Sequence, residues 1–171
     1  MVETAVSGPD KQADEADQLS QASPSVWGVD IPFVQHLGFD LVLFKNGQSE
    51  LHYRPQDAHL NSFGVTHGGA CMTLLDVTLA TAARSVDKSM GVVTIEMKTS
   101  FMRTANQPAA GGFLIGRGKL LHRTATLAFC EAGLYDADGN LCTHATGTFK
   151  YVKRLPTGSK SVQNLRAIST D

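Results

Sequence analysis

Between Gly68 and Ala83 the chain reads GGACMTLLDVTLATAA, and this stretch constrains the fold more than any other. Cys71, Met72, Leu74, Leu75, Leu79 and Ala82 recur too densely for a helix with a wet side. The spacing predicts a helix buried nearly all round. Arg84 and Lys88 follow near its end, where the helix dipole favours cations. Such a helix has to be wrapped, and a sheet is the economical wrapping.

The rest of the chain reads as that sheet. Residues 39–44 and 50–54 are apolar or alternating runs joined by Lys45-Asn46-Gly47-Gln48, and Asn-Gly between such runs is a strong hairpin signal. A short helical turn is expected over 32–37. After Met90 the period becomes two: Val93, Ile95, Met97, Thr99 and Phe101 alternate with Thr94, Glu96, Lys98 and Ser100. Residues 113–121, 124–135 and 141–152 continue as strands, with Asp136-Ala137-Asp138-Gly139 as a turn. The expected class is α+β: one long buried helix wrapped by a mostly antiparallel sheet of about six strands.

Composition bounds what this domain can do. A length of 171 residues, 42% of them apolar and 18% charged, suits one domain with a core. Residues 1–28 are small, polar and acidic and are expected to be a disordered tail. Residues 155–171 read as a polar C-terminal tail, which leaves 29–154 as the folded unit. A net charge of −1 offers no field for nucleic acid or an anionic membrane. No window reaches the roughly 18 to 20 apolar residues of a membrane span. The first residues lack a basic segment followed by an apolar one, so no secretory signal is expected. Cys71, Cys130 and Cys142 are odd in number and unrelated in spacing, which suits reduced thiols in a cytoplasmic protein. The histidines form no pair at zinc spacing, so neither a metal nor another cofactor is expected.

The chemistry concentrates on the apolar helix. Two glycines at a helix start cost roughly 1 kcal/mol each relative to alanine, yet they let a ligand approach the backbone closely. A thioester carbonyl set against the Gly68 N–H would be polarised by that bond and by the helix dipole. One such donor is worth about 3 to 4 kcal/mol in the transition state of acyl transfer. Asn61 and His67 flank the turn and are placed to orient an acyl group or a water. The same pattern also fits a plain loop-to-helix junction capped by His67. Asp76 is the sharper anomaly, because an unpaired carboxylate among apolar residues is costly. It stands nine residues beyond His67. At about 100° per residue it points to the opposite side of the helix, roughly 13 Å further along. The two groups cannot serve one substrate within one chain. If both react, each centre combines the helix start of one subunit with the acid of another, as a symmetric dimer provides twice. Cys71, four residues after His67 on the same face, offers a rival Cys–His pair, although an unpaired cysteine there is more often core.

Asn61-x5-His67-Gly68-Gly69, with Asp76 nine residues beyond the histidine, resembles the signature of PaaI-like hotdog-fold acyl-CoA thioesterases. The resemblance spans about 32–152. It includes Phe101-Met102-Arg103-Thr104-Ala105, similar to a Tyr/Phe-x-Arg-Pro-Ala strand end, and Gly147-Thr148-Phe149. It implies a hotdog fold, hydrolysis of an acyl-CoA to free acid and CoA, and a homodimer that can pair into a tetramer. It implies that Gly68 polarises the carbonyl and that His67 and Asn61 position substrate and water. Asp76 of the partner subunit would be the base or nucleophile, with Thr94 assisting the water. Phe63, Met72, Leu75 and Met102 suggest an apolar acyl pocket, with Gly69 counted among the substrate-binding residues. Arg103, His122 and Arg123 are candidate partners of the CoA phosphates, although any one of them alone is more often a solvated surface charge. Thr104 replaces a common proline and Thr124 a common glycine, both near the expected CoA contacts. Two other functions compete. A non-catalytic acyl-CoA-binding module would need no buried acid. A hotdog dehydratase or hydratase would need a catalytic histidine paired with an aspartate on one loop or helix, and the opposite rotation of His67 and Asp76 argues against that.

Overall fold

The computed structural model describes residues 31–106 and 112–153; the two expected tails lie outside these residues. The elements are α1 (Pro32–Leu37), β1 (Phe39–Lys45), β2 (Gln48–Tyr53), a 3-10 turn (Asp57–His59), α2 (Gly68–Arg84), β3 (Met90–Phe101), β4 (Leu114–Arg123), β5 (Leu127–Tyr135) and β6 (Leu141–Lys153). The strands form one six-stranded sheet in the order β1-β2-β4-β5-β6-β3, each pairing antiparallel. This is the α+β arrangement expected of the sequence. The β1–β2 hairpin turns on Asn46 and Gly47, both at positive φ, as a two-residue hairpin turn requires.

Helix α2 lies against the inner face of the sheet and touches β1 through β6. Leu74, Leu75, Leu79, Ala82 and Ala83 are fully buried beneath it, with Leu51, Leu114, Leu134 and Phe149 from the strands. Two glycines of β4 set the closeness of this packing. A Cβ at Gly116 would stand 2.6 Å from the Thr78 hydroxyl, and one at Gly118 would stand 2.8 Å from the Thr78 carbonyl. Ser49 donates its hydroxyl to that same carbonyl at 2.7 Å, and the Tyr151 hydroxyl donates to the Ala83 carbonyl at 2.9 Å. The helix is less enclosed than its sequence suggests. Gly69 and Met72 are exposed and Thr73, Asp76, Val77 and Ala80 half-buried, which leaves one open stripe along α2 in the single chain.

Strand β3 also departs from its reading. It stands at the sheet edge, and Val93, Ile95 and Phe101 are 46%, 57% and 53% exposed. Its alternation is not continuous. Thr94 pairs with Phe149 and Glu96 with Thr148, so Ile95 is the extra residue of a β-bulge. Paired residues share a face. Val92 and Thr94 therefore face the helix before the bulge, and Met97, Thr99 and Phe101 face it afterwards. The single alternating run read from the sequence would have put Thr94 and Phe101 on opposite faces. Val42 in β1 and Leu121 in β4 are likewise the unpaired residues of bulges and lie exposed.

Candidate active site

The start of α2 is held by two loops. The loop 61–67 is tied by Asn61 N–H to the Val65 carbonyl (2.9 Å), Thr66 N–H to the Ala105 carbonyl (3.0 Å) and His67 N–H to the His59 carbonyl (2.8 Å). The segment after β3 is tied by Met102 and Arg103 N–H, which share the Cys142 carbonyl at 2.9 and 3.0 Å. Between them opens a cleft of about 360 Å³, lined by Asn61, Gly68, Cys71, Phe101, Arg103 and Thr143 among others. Gly68 is the first residue of the helix, and its N–H has no hydrogen-bond partner among the described residues. A Cβ there would already touch the Phe101 ring at 3.4 Å, so a small residue keeps this backbone approachable.

His67 serves the helix itself. It is the N-cap, and its Nδ1 accepts the Gly69 N–H at 2.9 Å, satisfying one of the orphan donors of the first turn. The Asn61 side chain does similar work in the loop. Its Oδ1 accepts the N–H of Phe63 (2.9 Å) and of Val65 (3.3 Å), which turns its amide nitrogen away from those bonds. The rival Cys–His pair does not form. The imidazole is committed to Gly69, and burial, with Cys142 nearby, pushes the Cys71 thiol up to about 11. A thiol held so far from ionisation is no nucleophile near neutral pH.

Asp76 lies apart from this cleft, on the half-buried stripe of α2 with Met72 one turn before it. The Thr94 hydroxyl donates to its Oδ1 at 2.8 Å. Burial raises the carboxyl above the ordinary aspartate range, and the Thr94 bond lowers it part of the way back. The bulge at Ile95 makes this pair possible, because it keeps Thr94 on the helix side.

The expected site residues thus fall into groups. Asn61, Gly68 and Arg103 meet in the cleft; His67 and Gly69 close the helix start beside it. Asp76, Thr94 and Met72 form the second group. Phe63 stands at the tip of its loop, 86% exposed. His122 and Arg123 lie on β4, His122 stacked on Phe129 and Arg123 over the Tyr151 ring. Arg123 shares a cross-strand row with Ala128, Phe149 and Thr94, so this end of β4 belongs to the acid's end of the sheet. The sequence reading passed over Thr66 and Thr143 in the cleft wall, since a threonine in a strand or loop carries no signal of its own.

Comparison with known proteins agrees with this architecture. The model of the thioesterase superfamily matches residues 63–143, which covers the helix start, Asp76 and Thr94. A Saccharolobus solfataricus protein provisionally named an esterase is 35% identical over 97 residues, which is 57% of this chain and 66% of that protein. The conserved protein PA5202 of Pseudomonas aeruginosa superposes with a TM-score of 0.68 at 27% identity, over 75% of this chain and all (100%) of that one. The PaaI protein from the phenylacetic acid degradation operon of Escherichia coli has a TM-score of 0.65 at 16% identity, over 82% and 91% of the two chains. A Streptococcus mutans protein, smu.793, solved with acetyl CoA bound, has a TM-score of 0.61 at 22% identity, over 68% and 90%. With its sheet wrapped on one central helix, this chain has the hotdog fold that it shares with PA5202 and the PaaI proteins, and its residues 63–143 match the thioesterase superfamily.

Proposed function

We propose that the protein is an acyl-CoA thioesterase that works as a homodimer, each centre joining the α2 start of one chain to Asp76 of the other. The observation that carries this reading is the division of α2 into two chemically distinct ends. An uncommitted N–H faces a cleft at Gly68, and a desolvated carboxylate paired with Thr94 sits two turns on. The open stripe around Asp76 and the apolar, unpaired edge of β3 are the surfaces a second copy would cover. The acetyl CoA of the Streptococcus mutans neighbour supports a CoA thioester as substrate.

In the proposed reaction the thioester carbonyl oxygen takes the Gly68 N–H, and the α2 dipole adds to the polarisation. Asp76 from the facing chain accepts a proton from water as the water oxygen attacks the carbonyl carbon. The tetrahedral oxyanion collapses, the C–S bond breaks, and the CoA thiolate takes up a proton. The raised position of the Asp76 carboxyl makes it a better base than an exposed aspartate. Attack by the carboxylate itself, with hydrolysis of the resulting anhydride, uses the same groups. Arg103 at the cleft rim is the cation placed to meet a CoA phosphate.

A thiol-release assay over a panel of acyl-CoAs tests the reading. Hydrolysis by the wild-type protein is expected, with a loss of about 10²- to 10⁴-fold in Asp76→Asn while the melting temperature holds. Saturable acyl-CoA binding without thiol release would replace the enzyme by a binding module.

A further inference from the structure

Sites that stabilise an oxyanion gather several donors around one oxygen, and the start of α2 offers fewer than its two glycines suggest. The Gly69 N–H is spent on His67 Nδ1 at 2.9 Å, which leaves the Gly68 N–H to face the cleft. The Thr66 and Thr143 hydroxyls of the cleft wall are no substitute. Both are sealed beneath the surface, without a hydrogen-bond partner among the described residues.

Phe101 stands where a second group is wanted. Its Cζ and Cε1 lie 3.4 and 3.5 Å from the point a Gly68 Cβ would take, and no other atom of the ring comes within 4 Å of that point. A ring lying face-on would bring more of its atoms that close, so Phe101 turns its edge to Gly68. In a helix the Cα–Cβ direction tilts toward the N-terminus, and the free N–H groups of the first turn point the same way. An oxygen held by the Gly68 N–H therefore lies beside that edge. An aromatic ring is negative on its faces and positive along its edge, so this is the orientation that favours an anion. The strand end fixes it: Phe101 pairs with Thr143, and the N–H groups of Met102 and Arg103 share the Cys142 carbonyl directly after it. We infer that the ring edge of Phe101 is the second polarising group of the carbonyl site, acting with the Gly68 N–H on the charge that develops on the thioester oxygen. The inference rests on the thioesterase reading, because that oxygen belongs to the thioester. A ring that merely walled the cleft could be replaced by any apolar group of its size.

The test reverses the edge and keeps the ring. In the full-length protein, 3,4,5-trifluorophenylalanine replaces Phe101, which makes the edge negative at almost unchanged size; Phe101→Leu removes the aromatic ring altogether. Two readouts are taken: kcat and KM for thiol release from the best acyl-CoA of the panel, and the infrared carbonyl stretch of a bound, non-hydrolysable ketone analogue, S-(2-oxoalkyl)-CoA. Both variants are expected to lose about 3- to 10-fold in kcat with KM held, and the carbonyl stretch moves to higher frequency than in the wild type. The melting temperature of the fluorinated protein stays that of the wild type. An unchanged kcat in the fluorinated protein overturns the inference, as does a raised KM at constant kcat, which would make the ring a plain wall. A ring-dependent carbonyl stretch without thiol release from any acyl-CoA sinks the enzymatic reading and leaves the polarising edge standing. Thiol release with kcat and stretch indifferent to the ring does the reverse, and neither release nor a ring-dependent stretch overturns both.

Discussion

Gly68 lends itself to an unusually clean test, because its role on the proposed reading belongs to a single backbone proton. Proline is well tolerated at the first position of a helix. His67 already has the extended backbone, φ −59 and ψ 136, that a residue before proline requires. Gly68→Pro is therefore expected to melt like the wild type and lose about 10²- to 10³-fold in turnover. Gly68→Ala keeps the N–H and adds a Cβ at an ordinary 3.4 Å from Phe101, and it serves as the control. Equal turnover of the two variants would remove Gly68 from the chemistry. Thr94 supports a second prediction. Its hydrogen bond favours the charged form of Asp76, so removing it raises the carboxyl further above its ordinary 3.8. The acidic limb of kcat/KM reports the free enzyme's base. In Thr94→Val that limb is expected to move to higher pH, with activity lost first on the acidic side; an unmoved limb would separate Asp76 from catalysis. At this scale the sequence was most legible where a residue was out of place, as Asp76 is in an apolar helix. It was silent where the residue was ordinary. Thr143 in a strand looks like any threonine, and only the packing around it reveals an unmet hydrogen bond.

The elements were legible in number and order because helix and strand periods differ, and because Asn46-Gly47 announces a hairpin. The bulges were not. Val42, Ile95 and Leu121 each continue a local apolar pattern, and nothing in that pattern says which residue of a run will be left unpaired. The choice depends on how the sheet twists around α2, which is a tertiary matter. The glycines of β4 are a similar case. Gly118 looks like a weak strand residue, yet it is the contact that lets Ser49 and Thr78 approach. Gly118→Ala places a Cβ 2.6 Å from the Ser49 hydroxyl and 2.8 Å from the Thr78 carbonyl, and it is expected to cost about 1 to 3 kcal/mol in urea unfolding. Gly139→Ala, at φ +82 with no neighbour within 4 Å, carries only the backbone penalty of about 1 kcal/mol. If Gly118→Ala proved as mild as Gly139→Ala, the helix would not need that closeness.

At the scale of the whole molecule, the separation of Asp76 from the Gly68 cleft turns the proposed dimer into a matter of arithmetic. Asp76→Asn and Gly68→Pro chains would each be inactive alone. Refolded together in equal amounts, half of the dimers are mixed, and each mixed dimer holds one intact centre of two. Recovery of about a quarter of wild-type activity is expected on this statistical pairing. Mixed samples as inactive as their components would place both groups in one chain's centre, or neither in any. The single chain gave one warning of this in its sequence, the opposite rotation of His67 and Asp76. The open stripe of α2 and the bare edge of β3 complete it. Strand β3 then has two duties in the assembly: Thr94 tends the acid of one centre, and Phe101 walls the carbonyl cleft of another. The bulge acts as a change of reading frame between the two messages. Losing or gaining a residue at Ile95 leaves both halves facing as they do. The same change nearer either end puts the strand out of step with itself and silences one duty while sparing the other.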